Sequence, residues 1–137
     1  MTDPVTLTRT LDNARDDLTD IGFTLQKLRG SYRLDTSQLP DQWSVDNPRT
    51  GQCHVASLII NERHGGRILL GYTRANELHY WNVVHGITID ATRDQFLAAT
   101  IFDRIEDATD EVLGESTLSK RDLLAERAFG LTASPAA

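Results

Sequence analysis

Apolar residues near the N-terminus recur at the spacing of one helix face. Successive members lie three or four residues apart, at Leu7, Leu11, Ala14, Leu18 and Ile21. An amphipathic helix buries residues with this period, so the pattern predicts a first helix. A second helix is predicted over about 22–32, with Thr19 or Asp20 separating the two. Its predicted inward residues are Phe23, Leu25 and Leu28.

The pattern changes twice in the middle of the chain. Residues 34–52 show no period and are rich in Asp, Ser, Gln, Pro and Asn, which predicts a long ordered loop. The run from Cys53 to Ile60 is mostly apolar, and Gly65-Gly66 ends the segment. A buried helix is therefore predicted over 53–63.

Three short strands are predicted next, over about 67–73, 77–84 and 87–91. His85-Gly86 is a signal for a two-residue turn between the last two strands. After the strands, Thr92-Arg93-Asp94-Gln95 has the composition of a helix N-terminus, which predicts a short helix to about Ala99.

The last helix is marked at both ends. Ser119 and Asp122 have the spacing of a capping box, and Gly130 is a typical closing residue. The predicted buried residues are Leu123, Leu124 and Ala128. Residues 132–137 are expected to be frayed. N-terminal helices, a central helix packed on a small antiparallel sheet, and a C-terminal helix predict an α+β fold.

Length and composition limit the kind of protein. A chain of 137 residues has the length of one domain, so a single domain over 1–137 is expected. It has no long apolar stretch and no basic, apolar leader, which argues against a membrane span and a signal peptide. Cys53 is the single cysteine, which excludes an internal disulfide and a multi-cysteine zinc site. A cytoplasmic location is expected.

Charge is unevenly distributed around the net charge of −6. Residues 47–102 carry four acidic and five basic residues and are nearly neutral. Residues 1–46 carry eight acidic and five basic residues, and residues 103–137 carry eight acidic and four basic residues. No basic stripe is present for phosphates, so nucleic-acid binding is not expected. The acidic run of the last third is expected to form a solvated surface: Asp103, Glu106, Asp107, Asp110, Glu111 and Glu115.

Cys53 stands where the loop meets the predicted buried helix. The dipole and the free N–H groups of a helix N-terminus favour the thiolate, which is the nucleophilic form of cysteine. Gly51 permits a sharp turn and the close approach of a substrate. The alternative is a packed structural cysteine, because free cysteine is among the most buried residue types.

His79 and Asp90 are the candidate partners of this thiol. With a two-residue turn at His85-Gly86, the strand register places Trp81 opposite Asp90, and His79 lies two residues from Trp81 on the same face. His79 and Asp90 are then diagonal neighbours. Asp90 can accept from one imidazole nitrogen and leave the other for the thiol. One residue more or fewer in the turn would move Asp90 to the opposite face.

The other histidines are weaker candidates. His64 is expected to cap the end of its helix, His85 to serve in the turn, and His54 to point away from the thiol by about 100°. A metal site made of Cys53, His54, His79 and Asp90 is a further alternative, although no short ligand spacing supports it. No cofactor is expected.

Four separated blocks of the chain resemble the YunG-like family of small bacterial proteins. In order they are Asn47–Cys53, Gly65–Leu69, His79–Asn82 and Asp90–Phe96. The likeness runs from about residue 25 to 129 and includes Trp43. It implies a compact fold similar to papain-like and transglutaminase-like cores, in which a cysteine at the start of a central helix precedes a histidine and an acid on adjacent strands.

These observations predict a thiol-dependent enzyme that acts on an amide or related carbonyl by hydrolysis, deamidation or transfer to an amine. Cys53 would attack, His79 would shuttle the proton and Asp90 would orient His79. The candidates for oxyanion and substrate binding are the Cys53 N–H, Gln52, Trp81, Asn82 and Trp43. The alternative is a non-catalytic module that binds a small ligand or a protein partner, with Cys53 packed. A structural dimerising domain is a third possibility.

Overall fold

A computed structural model describes residues 4–92 and 101–130, with side chains from residue 17 onward. Three α-helices and one four-stranded antiparallel sheet form in this part of the chain. The helices are α1 (Pro4–Arg29), α2 (Cys53–His64) and α3 (Glu115–Phe129), and a short 3-10 helix spans Leu34–Thr36. The predicted α+β class and the predicted central helix are confirmed.

The prediction of two N-terminal helices is wrong, because α1 runs without a break from Pro4 to Arg29. Thr19 and Asp20 do not interrupt it, since these residue types lower helix propensity only slightly and tertiary packing overrides that preference. The predicted inward orientation of Leu7, Leu11 and Ala14 concerns side chains that lie outside the described part of the structure.

The continuous helix fixes which residues of its second half are buried. Ile21, Thr24 and Leu28 are buried and lie three and four residues apart, on one face. Leu25 packs at the margin of this core. Phe23 was predicted to face inward, but it lies on the other side of the helix and is 62% exposed.

The sheet has the strand order β3-β2-β1-β4. Its strands are β1 (Arg67–Tyr72), β2 (Leu78–Val84), β3 (Ile87–Ile89) and β4 (Arg104–Asp107). The first three confirm the predicted strands. β4 was not predicted, because this edge strand is exposed at all four positions and has no alternation of buried apolar residues.

The turn between β2 and β3 confirms the predicted register. His85 and Gly86 both have positive φ, 52° and 73°, as in the type I′ turn that joins hairpin strands through two residues. Val84 pairs with Ile87, and Asn82 pairs with Ile89. Extending this register by one residue places Asp90 opposite Trp81.

The core surrounds α2, whose residues from Cys53 to Ile60 are all buried. One group of buried side chains joins this helix to α1 and α3 and includes Leu28, Ile59 and Leu124. A second group joins the start of α2 to the sheet and contains Cys53 itself. The N-terminal end of α2 is thus held against β1 and β2.

The start of α3 differs from the prediction. The helix begins at Glu115 after an extended Gly114, so Ser119 lies inside it and the predicted capping box is wrong. A carboxylate in the first turn, at Glu115, favours this earlier start. The predicted end is confirmed: Gly130 is left-handed (φ 68°), and its N–H donates to the Glu126 carbonyl.

Two predictions fall outside the described residues. The helix expected from Thr92 to Ala99 lies mostly in 93–100, and the frayed tail lies in 131–137. None of the helices in the described ranges is long and apolar enough to cross a membrane.

Adjacent leucines of α3 provide a test of the packing. Leu124 is fully buried, whereas Leu123, which was predicted to be buried, is 36% exposed. Leu124→Ala should lower the free energy of unfolding by about 2–5 kcal/mol, because it removes buried methyl groups and leaves a cavity. Leu123→Ala is the matched control and should cost less than about 1 kcal/mol. Urea unfolding measures both, and equal losses would contradict this orientation of α3.

Candidate functional site

The loop before α2 is held in place by hydrogen bonds between its own residues. The Gln38 N–H donates to the Gly51 carbonyl at 2.9 Å, and Ser37 Oγ donates to the Thr50 carbonyl at 2.7 Å. Gly51 has φ of 75°, and a Cβ there would collide with Ser37 and with the Leu39 backbone. Glycine is therefore required at this position, where the chain turns into the helix that begins with Cys53.

Gln52 anchors the start of α2 from inside the protein. Its side chain is fully buried. Oε1 accepts from the Thr36 hydroxyl at 2.7 Å, and Nε2 donates to the Arg33 carbonyl at 2.8 Å. These bonds fix the residue next to Cys53, and its role in binding an oxyanion stays a prediction.

His79 and Asp90 meet as the hairpin register predicted. His79 Nε2 lies 2.7 Å from Asp90 Oδ2, and Asp90 Oδ1 accepts from the Thr92 N–H at 3.2 Å. The His79 ring is 3% exposed, and the Asp90 side chain is 25% exposed. Asp90 follows the last residue of β3, so it lies beside the part of β2 that β3 does not pair with.

The Cys53 thiol is the third group at this point. It is buried, and it lies close enough to the His79 side chain to favour a protonated imidazole. Burial alone would lower the pKa of His79, but the hydrogen bonds and charges of Asp90 and Cys53 outweigh burial and raise that pKa to about 9. Imidazolium is therefore the main form of His79 at neutral pH.

Two aromatic rings pack beside His79. Trp81 stacks against it with 5.7 Å between ring centroids. Phe102 stacks on both, at 6.0 Å from His79 and 5.1 Å from Trp81. Gly71 makes room for the Phe102 ring, because a Cβ there would meet it at 2.5 Å. Phe102 was not among the predicted site residues. The one signal for it in the sequence was Gly71 inside a strand, because such a glycine often marks a place where another group approaches the backbone closely.

The two other predicted site residues brace the structure around the site. Trp43 Nε1 donates to the Pro48 carbonyl at 3.0 Å and so holds the loop closed upon itself. Asn82 is buried, and its Nδ2 donates to the Ser57 carbonyl at 3.0 Å, which ties β2 to α2. Contact of either residue with a substrate stays a prediction.

His54, Tyr80 and Glu111 form a neighbouring cluster. The His54 ring lies flat on Tyr80, with 3.8 Å between centroids. The Tyr80 hydroxyl donates to Glu111 Oε1 at 3.0 Å, and His54 Nε2 lies 3.5 Å from the same oxygen. Burial lowers the pKa of His54 despite the Glu111 charge, and burial followed by that charge raises the pKa of Tyr80.

The remaining histidines lie around Asp17. His64 does not cap α2, because Gly65 occupies the cap and the His64 ring reaches Asp17 at 2.9 Å and Thr24 at 2.8 Å. His85 forms the turn as predicted and also lies 2.7 Å from Asp17. These contacts lower the pKa of Asp17, with the His64 hydrogen bond as the main cause. Among the described side chains, those of residues 17–92 and 101–130, no group of three or more His, Cys, Asp or Glu is placed to hold a metal ion.

Comparison with known proteins identifies relatives. A family model described as YunG protein matches residues 20–130. The curated "Uncharacterized protein YunG" of Bacillus subtilis (strain 168) is 34% identical over 71 residues. That alignment covers 51% of this chain and 60% of the relative's length. No solved structure matches the chain.

The hydrogen bond between His79 and Asp90 is testable without a substrate. The His79 pKa is raised to about 9, in part by the Asp90 carboxylate. Asp90→Asn should lower this pKa by at least about one unit, because an amide does not stabilise imidazolium as a carboxylate does. Histidine titration by NMR in both proteins measures the change.

Asp17→Asn is the matched control, since Asp17 binds His64 and His85 instead. This variant should leave the His79 titration where it is. A His79 titration that is the same in the wild type and in Asp90→Asn would contradict the assignment.

Proposed function

The chain belongs to the YunG family, and we propose that it is a thiol-dependent acyl-transfer enzyme acting on an amide or related carbonyl. The observation that carries the proposal is the position of His79, which contacts Cys53 and also binds Asp90. A nucleophile, a base and a group that orients the base are the three parts that such chemistry needs.

The raised pKa of His79 defines the resting state of the proposed enzyme. At neutral pH the imidazole holds a proton, and the Asp90 carboxylate balances its charge. A neighbouring imidazolium stabilises the thiolate of Cys53, which is the form that attacks carbonyl carbon. Since Nε2 binds Asp90, Nδ1 is the ring nitrogen that serves the thiol.

The proposed reaction has two halves. The Cys53 thiolate forms a C–S bond with the carbonyl carbon, and His79 gives its proton to the departing nitrogen as the C–N bond breaks, leaving a thioester. Water or an amine then attacks the thioester. His79 takes the proton of that second nucleophile, and Cys53 departs as thiolate. Water completes hydrolysis or deamidation, and an amine completes transfer.

The N-terminus of α2 is the proposed oxyanion site. The first N–H groups of a helix have no partner within the helix, and they point toward a group that binds at its end. The first bond of this helix runs from the Ala56 N–H to the Gln52 carbonyl, so the Cys53 N–H precedes it. We assign the Cys53 N–H to the oxyanion, with Gln52 as a second candidate.

The aromatic side chains are proposed to shape the cleft. Trp81 and Phe102 cover the His79 ring and limit the access of water to it. Trp43 and Asn82 support the walls through the loop before α2 and through α2 itself. Limited water strengthens the electrostatic contacts of the site.

We extend the proposal to the fold and the location. The order of Cys53 at a helix start, then His79 and Asp90 from one hairpin, supports a core similar to papain-like and transglutaminase-like proteins. The lone cysteine supports a cytoplasmic location, and the acidic composition argues against a nucleic-acid partner.

One observation favours the alternative of a non-catalytic binding module. Cys53 is only 7% exposed, as a packed cysteine would be. The two functions differ in the reactivity of the thiol, because a packed cysteine is inert whereas a catalytic thiolate reacts with small electrophiles.

The pH dependence of alkylation separates the two functions. The reaction rate of the native protein with iodoacetamide should rise less steeply between pH 6 and pH 8 than that of the unfolded protein, because a neighbouring imidazolium favours thiolate over thiol. In the unfolded protein the rate should rise about a hundredfold over that range, as for a free thiol with a pKa of ~8.5.

Two variants complete the test. Cys53→Ala should abolish labelling and leave the fold intact, since loss of a small thiol leaves little cavity. His79→Gln should restore the steep rise with pH. Native Cys53 that stays unlabelled up to about pH 9 would overturn the proposed enzyme and favour the binding module.

A further inference from the structure

Glu111 is a carboxylate held against His54, the residue that follows the proposed nucleophile in α2. Cys53, Tyr80 and Ala108 belong to one group of packed side chains, so the chain that follows Ala108 passes close to the start of α2. Three residues later, Glu111 accepts one bifurcated hydrogen bond from the Tyr80 hydroxyl, whose oxygen lies 3.0 and 3.2 Å from the two carboxylate oxygens. The carboxylate is thereby held beside Tyr80, and one of its oxygens lies 3.5 Å from His54 Nε2.

The contacts of Glu111 leave its negative charge largely unbalanced. Its one ion-pair contact within the described residues is to His54, and burial lowers the pKa of that histidine, which keeps it neutral. In the ranges that the structure covers, no lysine or arginine lies within ion-pair distance of Glu111. The side chain is 34% exposed, so a molecule from solvent can reach it.

A stacked support makes the position rigid. The Tyr80 ring lies flat on His54, and His54 is the residue next to Cys53 in α2. The carboxylate is therefore tied to the helix that carries the thiol, and its position relative to the thiol is set by packed rings rather than by a flexible chain. A placed carboxylate with unused lone pairs binds an ammonium or guanidinium group well.

We propose that Glu111, held by Tyr80 and His54, is a specificity-determining residue that selects substrates with a cationic group close to the scissile carbonyl. The inference rests on the proposed function, because it assigns the charge of the substrate for the same site. A substrate amine or guanidinium would pair with Glu111, while an anionic group would be repelled.

Charged thiol reagents test this selection without a known substrate. Methanethiosulfonates form a mixed disulfide with Cys53 and release methanesulfinate. Three of them differ in charge: the trimethylammonium-ethyl reagent is cationic, the sulfonato-ethyl reagent is anionic, and the methyl reagent is neutral. The quantity measured is the rate constant of Cys53 with the cationic reagent divided by its rate constant with the anionic reagent. This ratio is normalised to the same ratio for 2-mercaptoethanol, which reports the intrinsic reactivity of the two reagents. In the wild type we expect this normalised ratio to exceed about five, from a single charge at short range near a protein surface.

Glu111→Gln should bring the ratio to within about twofold of one, while the amide oxygen still accepts from Tyr80 and preserves the local fold. Asp110→Asn is the matched control: it removes the same charge from the same loop, at a neighbouring carboxylate that does not bind Tyr80. It should keep at least about half of the wild-type ratio.

The neutral reagent separates failure of the inference from failure of the proposed function. If the folded wild type reacts with the neutral reagent but its normalised ratio is near one, selection by Glu111 is overturned and the enzyme proposal stands. The same conclusion follows if Glu111→Gln and Asp110→Asn lower the normalised ratio equally. If the neutral reagent does not modify Cys53 in the folded protein, both are overturned. Circular dichroism of each variant checks that the fold is retained.

Discussion

The hydrogen bond between His79 and Asp90 depends on a turn of only two residues. His85 and Gly86 adopt positive φ, and this geometry sets which residue of β3 lies opposite each residue of β2. Because side chains of a strand alternate between faces, a shift of one residue would carry Asp90 away from His79. Gly86 is suited to this conformation, and His85, which also has positive φ, contacts Asp17.

Burial gives the pairing its chemical effect. A buried imidazole in isolation would lose its proton more readily than one in water. The Asp90 carboxylate and the Cys53 thiol reverse that tendency and raise the pKa of His79 to about 9. The ring therefore couples the end of β3 to the start of α2, two elements brought together only by the tertiary fold. The glycine turn at Gly51 and the buried Gln52 fix the other side of the coupling.

Local signals in the sequence predicted the elements that carry the site. The apolar run from Cys53, the two glycines after it and the His85-Gly86 turn gave α2, the hairpin and its register, because each is governed by short-range geometry. The unbroken course of α1 depends on tertiary packing that the sequence pattern does not encode, whereas the start of α3 at Glu115 has a local cause, the carboxylate in its first turn. β4 carries no alternating pattern, since it is exposed on the sheet edge.

The site residues that were missed are long-range contacts. Phe102 reaches His79 across a gap that Gly71 leaves in β1, and Glu111 reaches Tyr80 from a loop more than thirty residues away. The acidic run of the last third indicated a solvated surface, and β4 and most of that run are exposed. Charge counting did not distinguish Glu111 from its neighbours, because its role depends on one tyrosine hydroxyl. Contacts between residues this far apart in the chain leave no local pattern in the sequence, so they can be identified only from the folded structure.

The central claim of the proposed function is that the His79 imidazolium stabilises the thiolate of Cys53. The ultraviolet absorbance of a thiolate, taken as the difference between the wild type and Cys53→Ser, measures it directly. At about pH 6.5 we expect a larger thiolate signal in the wild type than in His79→Gln, where no imidazolium stabilises the thiolate. The same dependence of the signal on pH in both proteins would contradict the claim.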